Sequence, residues 1–166
     1  MFKTKKKYNI AIVGATGIVG ESLLDILYAR KFPIENIVPL ASKRSAGSQV
    51  KFGDDLINVI ALDDYDFKEI DIAFFSAGSS VSKIFAPIAA KSGAVVIDNT
   101  SEFRYVDDIP LVVPEVNPHD IKKHNKTNII ANPNCSTIQM LVALKPIHDK
   151  YKIVNINVST YQAVSG

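Results

Sequence analysis

Two short segments carry residue types that can do chemistry, and each sits where an apolar run meets a helical pattern. Cys135 is the one cysteine of the chain and stands in Asn132-Pro133-Asn134-Cys135-Ser136-Thr137, immediately before a helical stretch. A helix N-terminus favours the thiolate, which is the nucleophilic form of cysteine. A small packing cysteine is the alternative, and position by itself leaves both open. The second segment is Gly14-Ala15-Thr16-Gly17-Ile18-Val19-Gly20. Glycines between a strand and a helix allow a tight turn and let backbone approach a phosphate, which the helix N-terminus then attracts. The spacing is G-x-x-G-x-x-G, a variant of the usual G-x-G-x-x-G, and its placement points to a dinucleotide. A tight turn without a ligand is the competing reading.

The end of the second strand bears on which dinucleotide. An NAD site places Asp or Glu there, about 20 residues beyond the glycines, to hold the ribose hydroxyls. This chain instead reads Ser42-Lys43-Arg44-Ser45, two cations between two hydroxyls. That set suits a 2′-phosphate, so NADP is the expected cofactor. Asn99-Thr100-Ser101-Glu102-Phe103-Arg104 follows another strand, at the edge where doubly wound sheets gather ligands. Arg104 there is either a surface residue or a bidentate anchor for a carboxylate or phosphate. His119, His124 and His148 show no metal-ligand spacing with one another, so no metal site is expected.

The elements that must position these residues alternate strand and helix. Tyr8 to Val13, Ile34 to Ala41, Asp71 to Phe75, Ala94 to Ile97 and Asn128 to Ala131 read as strands. The first is apolar at nearly every position, as strands of a parallel sheet buried on both faces are. Pro39 is expected to weaken the far end of the second strand, and Phe52 to Leu62 reads as one poor edge strand. Helical spacing runs from Gly17 to Arg30, from about Ser80 to Lys91, and from about Ser136 to His148. The fold class is therefore α/β, a doubly wound Rossmann-type parallel sheet. Ile153 to Tyr161 differs: Val154, Ile156, Val158 and Thr160 alternate with polar residues, as in a half-exposed strand. Residues 1–134 are thus expected to form the cofactor domain, and 135–166 the incomplete start of an α+β catalytic and dimerisation domain.

Composition agrees with a globular protein of ordinary make-up. The chain has 166 residues, 47% hydrophobic and 22% charged, with a net charge of +2. That charge gives no reason to expect nucleic acid. A single cysteine excludes a disulfide-stapled scaffold, and no apolar run reaches the roughly 18 residues of a membrane span. The lysines among residues 3–7 read as a solvated tail, and the expected location is cytoplasmic.

Together, several motifs resemble the aspartate-semialdehyde dehydrogenase family along essentially the whole chain. They are Gly14 to Gly20, Arg44-Ser45-Ala46-Gly47, Asp98-Asn99-Thr100-Ser101 with Arg104, Pro114-Glu115-Val116-Asn117, Asn132 to Thr137, and Thr160 to Gly166. The resemblance implies NADP-dependent reduction of aspartyl phosphate to the semialdehyde, in lysine, methionine, threonine and diaminopimelate synthesis. It implies that Cys135 forms an acyl-thioester, that Gln162 contacts substrate, and that Arg104 and Asn134 bind substrate or its phosphate. Gly14, Thr16, Gly17, Ile18, Val19, Arg44, Ser45, Ser165 and Gly166 would contact the cofactor. A homodimer or homotetramer with small-molecule substrates is implied for the full-length protein.

In the family, a general-base histidine and a substrate-binding arginine lie downstream of the Tyr161-Gln162 position, and His119, His124 and His148 do not occupy that place. The chain is therefore expected to be a truncated portion that binds cofactor without turnover. The N-acetylglutamyl-phosphate reductase family is the nearest rival, with a Gly-Cys-Tyr-Pro type of stretch where this chain has Asn134-Cys135-Ser136-Thr137. A non-catalytic NADP-binding module is the other alternative.

Overall fold

The computed structural model describes residues 5–161. Strand β1 (Tyr8–Val13) sits in the middle of a six-stranded sheet and buries its last four residues completely. Its side chains divide between two cores, as the two-residue period of a strand requires. Ile10 and Ile12 pack with Leu24 and Leu27 of helix α1 (Ile18–Ala29) on one face. Ala11 and Val13 pack with Phe75, Ala86 and Val96 on the other, beneath helix α2 (Ser79–Lys91). Burial on both faces is what made the strand read as a continuous apolar run.

The remaining strands are β2 (Ile34–Ala41), β3 (Gln49–Phe52), β4 (Asp55–Asn58), β5 (Ile60–Ala61), β6 (Ile72–Phe75), β7 (Val95–Asp98) and β8 (Ile129–Ala131). The main sheet runs β5-β2-β1-β6-β7-β8, with every pair parallel. Strand order reverses between β1 and β6, which makes that junction the topological switch point. The doubly wound parallel sheet is thus the one expected.

Three local expectations fail. β2 runs through Pro39, which is fully buried opposite Ile12. The Leu40 carbonyl accepts from Gly14 on the β1 side and the Ala41 carbonyl accepts from Leu62 on the β5 side. That alternation turns Pro39 toward β5, which pairs only with Leu40 and Ala41, so the missing N–H costs no ladder bond. The single edge strand expected from Phe52 to Leu62 is instead half of an antiparallel β3–β4 hairpin followed by the short edge strand β5. Gly53, at φ +65°, supplies the positive φ that a two-residue hairpin loop needs.

The third failure concerns the chain after helix α3 (Cys135–Tyr151), which ends at Lys152 in the left-handed region. Residues 153–161 form no strand among the described residues. The alternation is present, but no described strand lies beside it to complete a ladder, and Val154 is 97% exposed. α3 itself buries no residue; Leu141 and Leu144 face Val116 and the 153–156 segment across an open groove. Among the described residues, no helix is long and apolar enough to cross a membrane.

Candidate active site

The glycine turn is shaped by close approaches that no side chain would permit. Gly14 has φ +90°, and a Cβ on it would lie 3.0 Å from Ser76 C and Ala77 N. The β1–α1 turn therefore abuts the β6–α2 loop at the switch point. Gly14 N and Ala15 N both donate to the Leu40 carbonyl, at 2.8 and 3.2 Å, which ties the turn to β2. A Cβ on Gly20 would lie 2.2 Å from the Gly14 carbonyl oxygen, so glycine is what lets α1 rest on the turn. No side chain caps the α1 N-terminus, which leaves its first N–H groups open to an anion.

A cavity of about 430 Å³ opens beside this turn, lined by Gly14, Thr16, Gly17, Arg44, Ser45 and Ala77 among others. Ile18 and Val19 extend α1 from its rim and are exposed. The loop after β2 borders the cavity through Ser42, Arg44 and Ser45, with one feature that sequence reasoning missed. Asp63, just beyond β5, also lines it, and Lys43 Nζ lies 3.4 Å from Asp63 and 3.8 Å from Asp64. The signal was available in Asp63-Asp64 at the end of the third parallel strand, which the topology sets beside β2. Lys43 is locally balanced, whereas Arg44 makes no ion pair among the described residues. Cradle, uncapped helix and unpaired guanidinium fit a nicotinamide dinucleotide.

At the other half of the same sheet edge, Asn134 caps α3. Its Oδ1 accepts from Ser136 N at 3.0 Å and from Ser136 Oγ at 2.7 Å. Such a cap leaves the side-chain NH₂ as a free donor. Cys135 is the first residue of the helix, is exposed, and packs in neither core; its Sγ is 3.9 Å from Asn134 Oδ1. Arg104 Nε donates to the Asn132 carbonyl at 3.0 Å, and Nη2 donates to the Asn99 carbonyl at 3.2 Å. Asn132 Nδ2 closes the ring by donating to Asn99 Oδ1 at 2.6 Å. The guanidinium is thus fixed across the ends of β7 and β8, with three of its five N–H groups uncommitted.

Arg104 borders a surface recess shared with Asp120 and Lys123. Side-chain hydrogen bonds, first from Lys123 and then from Asn117, hold the Asp120 carboxyl below the usual carboxylate range. Asn117 also accepts from Val113 N and donates to the Leu111 carbonyl, so the Pro114-Glu115-Val116-Asn117 motif serves a turn. His124 is buried against the Ile121 carbonyl at 2.6 Å, and His119 lies outside on the surface. No group of three or more potential metal ligands occurs among the described residues. Gln162, Ser165 and Gly166 lie outside the described residues.

A doubly wound sheet with a glycine cradle at its switch point defines a dinucleotide-binding domain. The family model described as semialdehyde dehydrogenase, NAD binding domain, matches residues 9–124, and the chain belongs to that family. The curated relatives it resembles include proteins named aspartate-semialdehyde dehydrogenase. The Campylobacter jejuni enzyme is 60% identical over 163 residues, which is 97% of this chain and 48% of the relative. That of Shewanella sp. strain DB6705 is 56% identical over 161 residues, again 97% and 48%.

Solved structures agree. Aspartate semialdehyde dehydrogenase II from Vibrio cholerae, complexed with ASA, is 56% identical with a TM-score of 0.84, covering 87% of this chain and 47% of that one. The Candida albicans enzyme with NADP is 28% identical with a TM-score of 0.72, covering 89% and 48%. The chain spans about half the length of the curated relatives it matches.

Proposed function

We propose that the intact protein is an NADP-dependent aspartate-semialdehyde dehydrogenase. It converts aspartyl phosphate to aspartate semialdehyde through an acyl-thioester on Cys135, in the synthesis of lysine, methionine, threonine and diaminopimelate. The observation that carries this reading is the exposed Cys135 at the first turn of α3, joined through Asn132 to an anchored guanidinium. That pair shares the carboxyl edge of the sheet with the glycine cradle.

The chain's own residues have distinct tasks. The Cys135 thiolate attacks the acyl carbon; the C–S bond forms as the C–O bond to phosphate breaks, and the phosphate leaves with that electron pair. The free N–H groups of Arg104 hold the departing dianion, and the Asn134 NH₂ group orients the acyl oxygen. Gly14 to Val19 receive the pyrophosphate, while Arg44, Ser42 and Ser45 receive the 2′-phosphate. NADPH, when bound, would supply the hydride for the thioester carbonyl carbon. The C–S bond then breaks, its electron pair returns to the Cys135 sulfur as thiolate, and the semialdehyde is freed. Residues 1–134 act as the cofactor domain. Cys135 begins the catalytic one, consistent with a helix that buries no residue in the sheet's two cores.

The test is an assay on the intact protein with aspartate semialdehyde, phosphate and NADP. NADPH formation that requires both semialdehyde and phosphate is expected, and turnover without phosphate would overturn the reading.

Cofactor choice gives a second prediction. Arg44→Ala is expected to weaken NADP binding about tenfold or more, the loss of a charge-assisted phosphate contact of roughly 1.5–3 kcal/mol. NAD binding should stay near the wild-type value. Calorimetric titration with both cofactors reads this, and equal losses for the two would refute it.

A further inference from the structure

Asp98, the last residue of β7, has no exposed surface and no task in the reaction as described. One carboxylate oxygen accepts from Ser82 Oγ of α2 at 2.6 Å, and the other accepts from Thr100 Oγ1 at 2.7 Å. Burying a carboxylate is costly, and two hydroxyl donors are modest compensation where an apolar residue could pack. The return is geometric. Thr100 Oγ1 also accepts from Glu102 N at 3.2 Å, and Ser79 Oγ lies 3.0 Å from Ser101 Oγ. The start of the 99–104 loop is thereby stitched to α2, while Arg104 at its end reaches the Asn99 and Asn132 carbonyls.

We propose that Asp98, through Ser82 and Thr100, is a positioning residue that sets where the Arg104 guanidinium stands relative to Cys135. The inference rests on Arg104 as the phosphate ligand. A carboxylate accepts from both hydroxyls at once, whereas an amide offers one acceptor. With its NH₂ toward Thr100 that hydroxyl proton loses its acceptor, and with its NH₂ toward Ser82 the Ser82 bond must reverse. Ser82 faces Asp98, whereas Val81 and Phe85 of the same helix line the cofactor cavity. Loosening the loop therefore acts on phosphate and spares the cofactor.

The experiment compares Asp98→Asn, Thr100→Val, Thr100→Ser and Arg104→Ala in the intact enzyme, assayed with aspartate semialdehyde, phosphate and NADP. Asp98→Asn and Thr100→Val are expected to raise the KM for phosphate about tenfold. The NADP dissociation constant should hold within about twofold, and Thr100→Ser, which keeps the hydroxyl, should restore the phosphate KM. An unchanged phosphate KM, a parallel loss of NADP affinity, or equal impairment by Thr100→Ser and Thr100→Val would overturn the proposal. If Asp98→Asn does not fold, the Thr100 pair decides. Arg104→Ala separates the two levels. An unchanged phosphate KM there overturns the reading of Arg104 and this inference with it. A raised KM there, with none in the Asp98 and Thr100 variants, overturns this inference alone.

Discussion

Replacing Cys135 by Ser in the intact enzyme is expected to lower turnover roughly 10⁴-fold or more, the scale on which removal of a catalytic nucleophile acts. Among the described residues the side chain bonded to Cys135 Sγ is Asn134, whose Oδ1 is already committed to Ser136 and is no base for a serine hydroxyl. A cysteine thiol ionises several pH units below a serine hydroxyl, so sulfur offers a nucleophile near neutrality where oxygen does not. The cofactor cradle lies at the ends of β1, β2 and β6, and none of its lining residues belongs to α3. The NADP dissociation constant should therefore remain within about twofold of wild type. Rates measured with aspartate semialdehyde and phosphate, together with calorimetric titration of NADP, check both halves. A residual rate above roughly one part in a hundred would assign the bond-forming step to another group.

How legible the protein was in its sequence depends on how local each feature is. β1 was readable because both of its faces are buried, so its pattern needs no knowledge of neighbours. The glycine turn was readable because tight turns and close approaches restrict residue type at fixed offsets. Three features depend on contacts between distant segments. Asp63 meets Lys43 only once β5 lies beside β2, so the loop after β2 read as purely basic. The bonds that Ser82 makes to Asp98, and Arg104 to the Asn132 carbonyl, span 16 and 28 residues. Nothing in the spacing of serines or asparagines announces them. The alternation from Ile153 to Tyr161 predicts a strand, but a strand is a property of two segments. Among the described residues the second is absent. Cys135 was half legible: its place before a helix was clear, whereas its exposure required the fold.

The second large effect is expected at Gly20, where a single methyl group should disturb both the fold and the cofactor site. A Cβ at this position would lie 2.2 Å from the Gly14 carbonyl oxygen and 2.7 Å from Ala15 Cα. Both are backbone atoms, so no rotamer change relieves the overlap, and either α1 or the turn must shift. The turn has little freedom: Gly14 is pressed against Ser76 and Ala77, and its N–H is bonded to Leu40. α1 is held from below by Leu24 and Leu27 in the core. Forced overpacking of this kind costs about 1–3 kcal/mol. For a chain of this size that corresponds to a fall of about 3–10 °C in Tm. The same shift would pull the uncapped first turn of α1 away from the pyrophosphate site, so NADP affinity should drop about tenfold or more. Gly17→Ala is the control. Gly17 has φ −93°, and the nearest atom to its Cβ would be 3.4 Å away, so its substitution should leave Tm within about 2 °C. Thermal unfolding followed by circular dichroism, with NADP titration of both variants, makes the comparison. A Gly20→Ala protein as stable as the Gly17→Ala protein would show that α1 can move off the turn without cost.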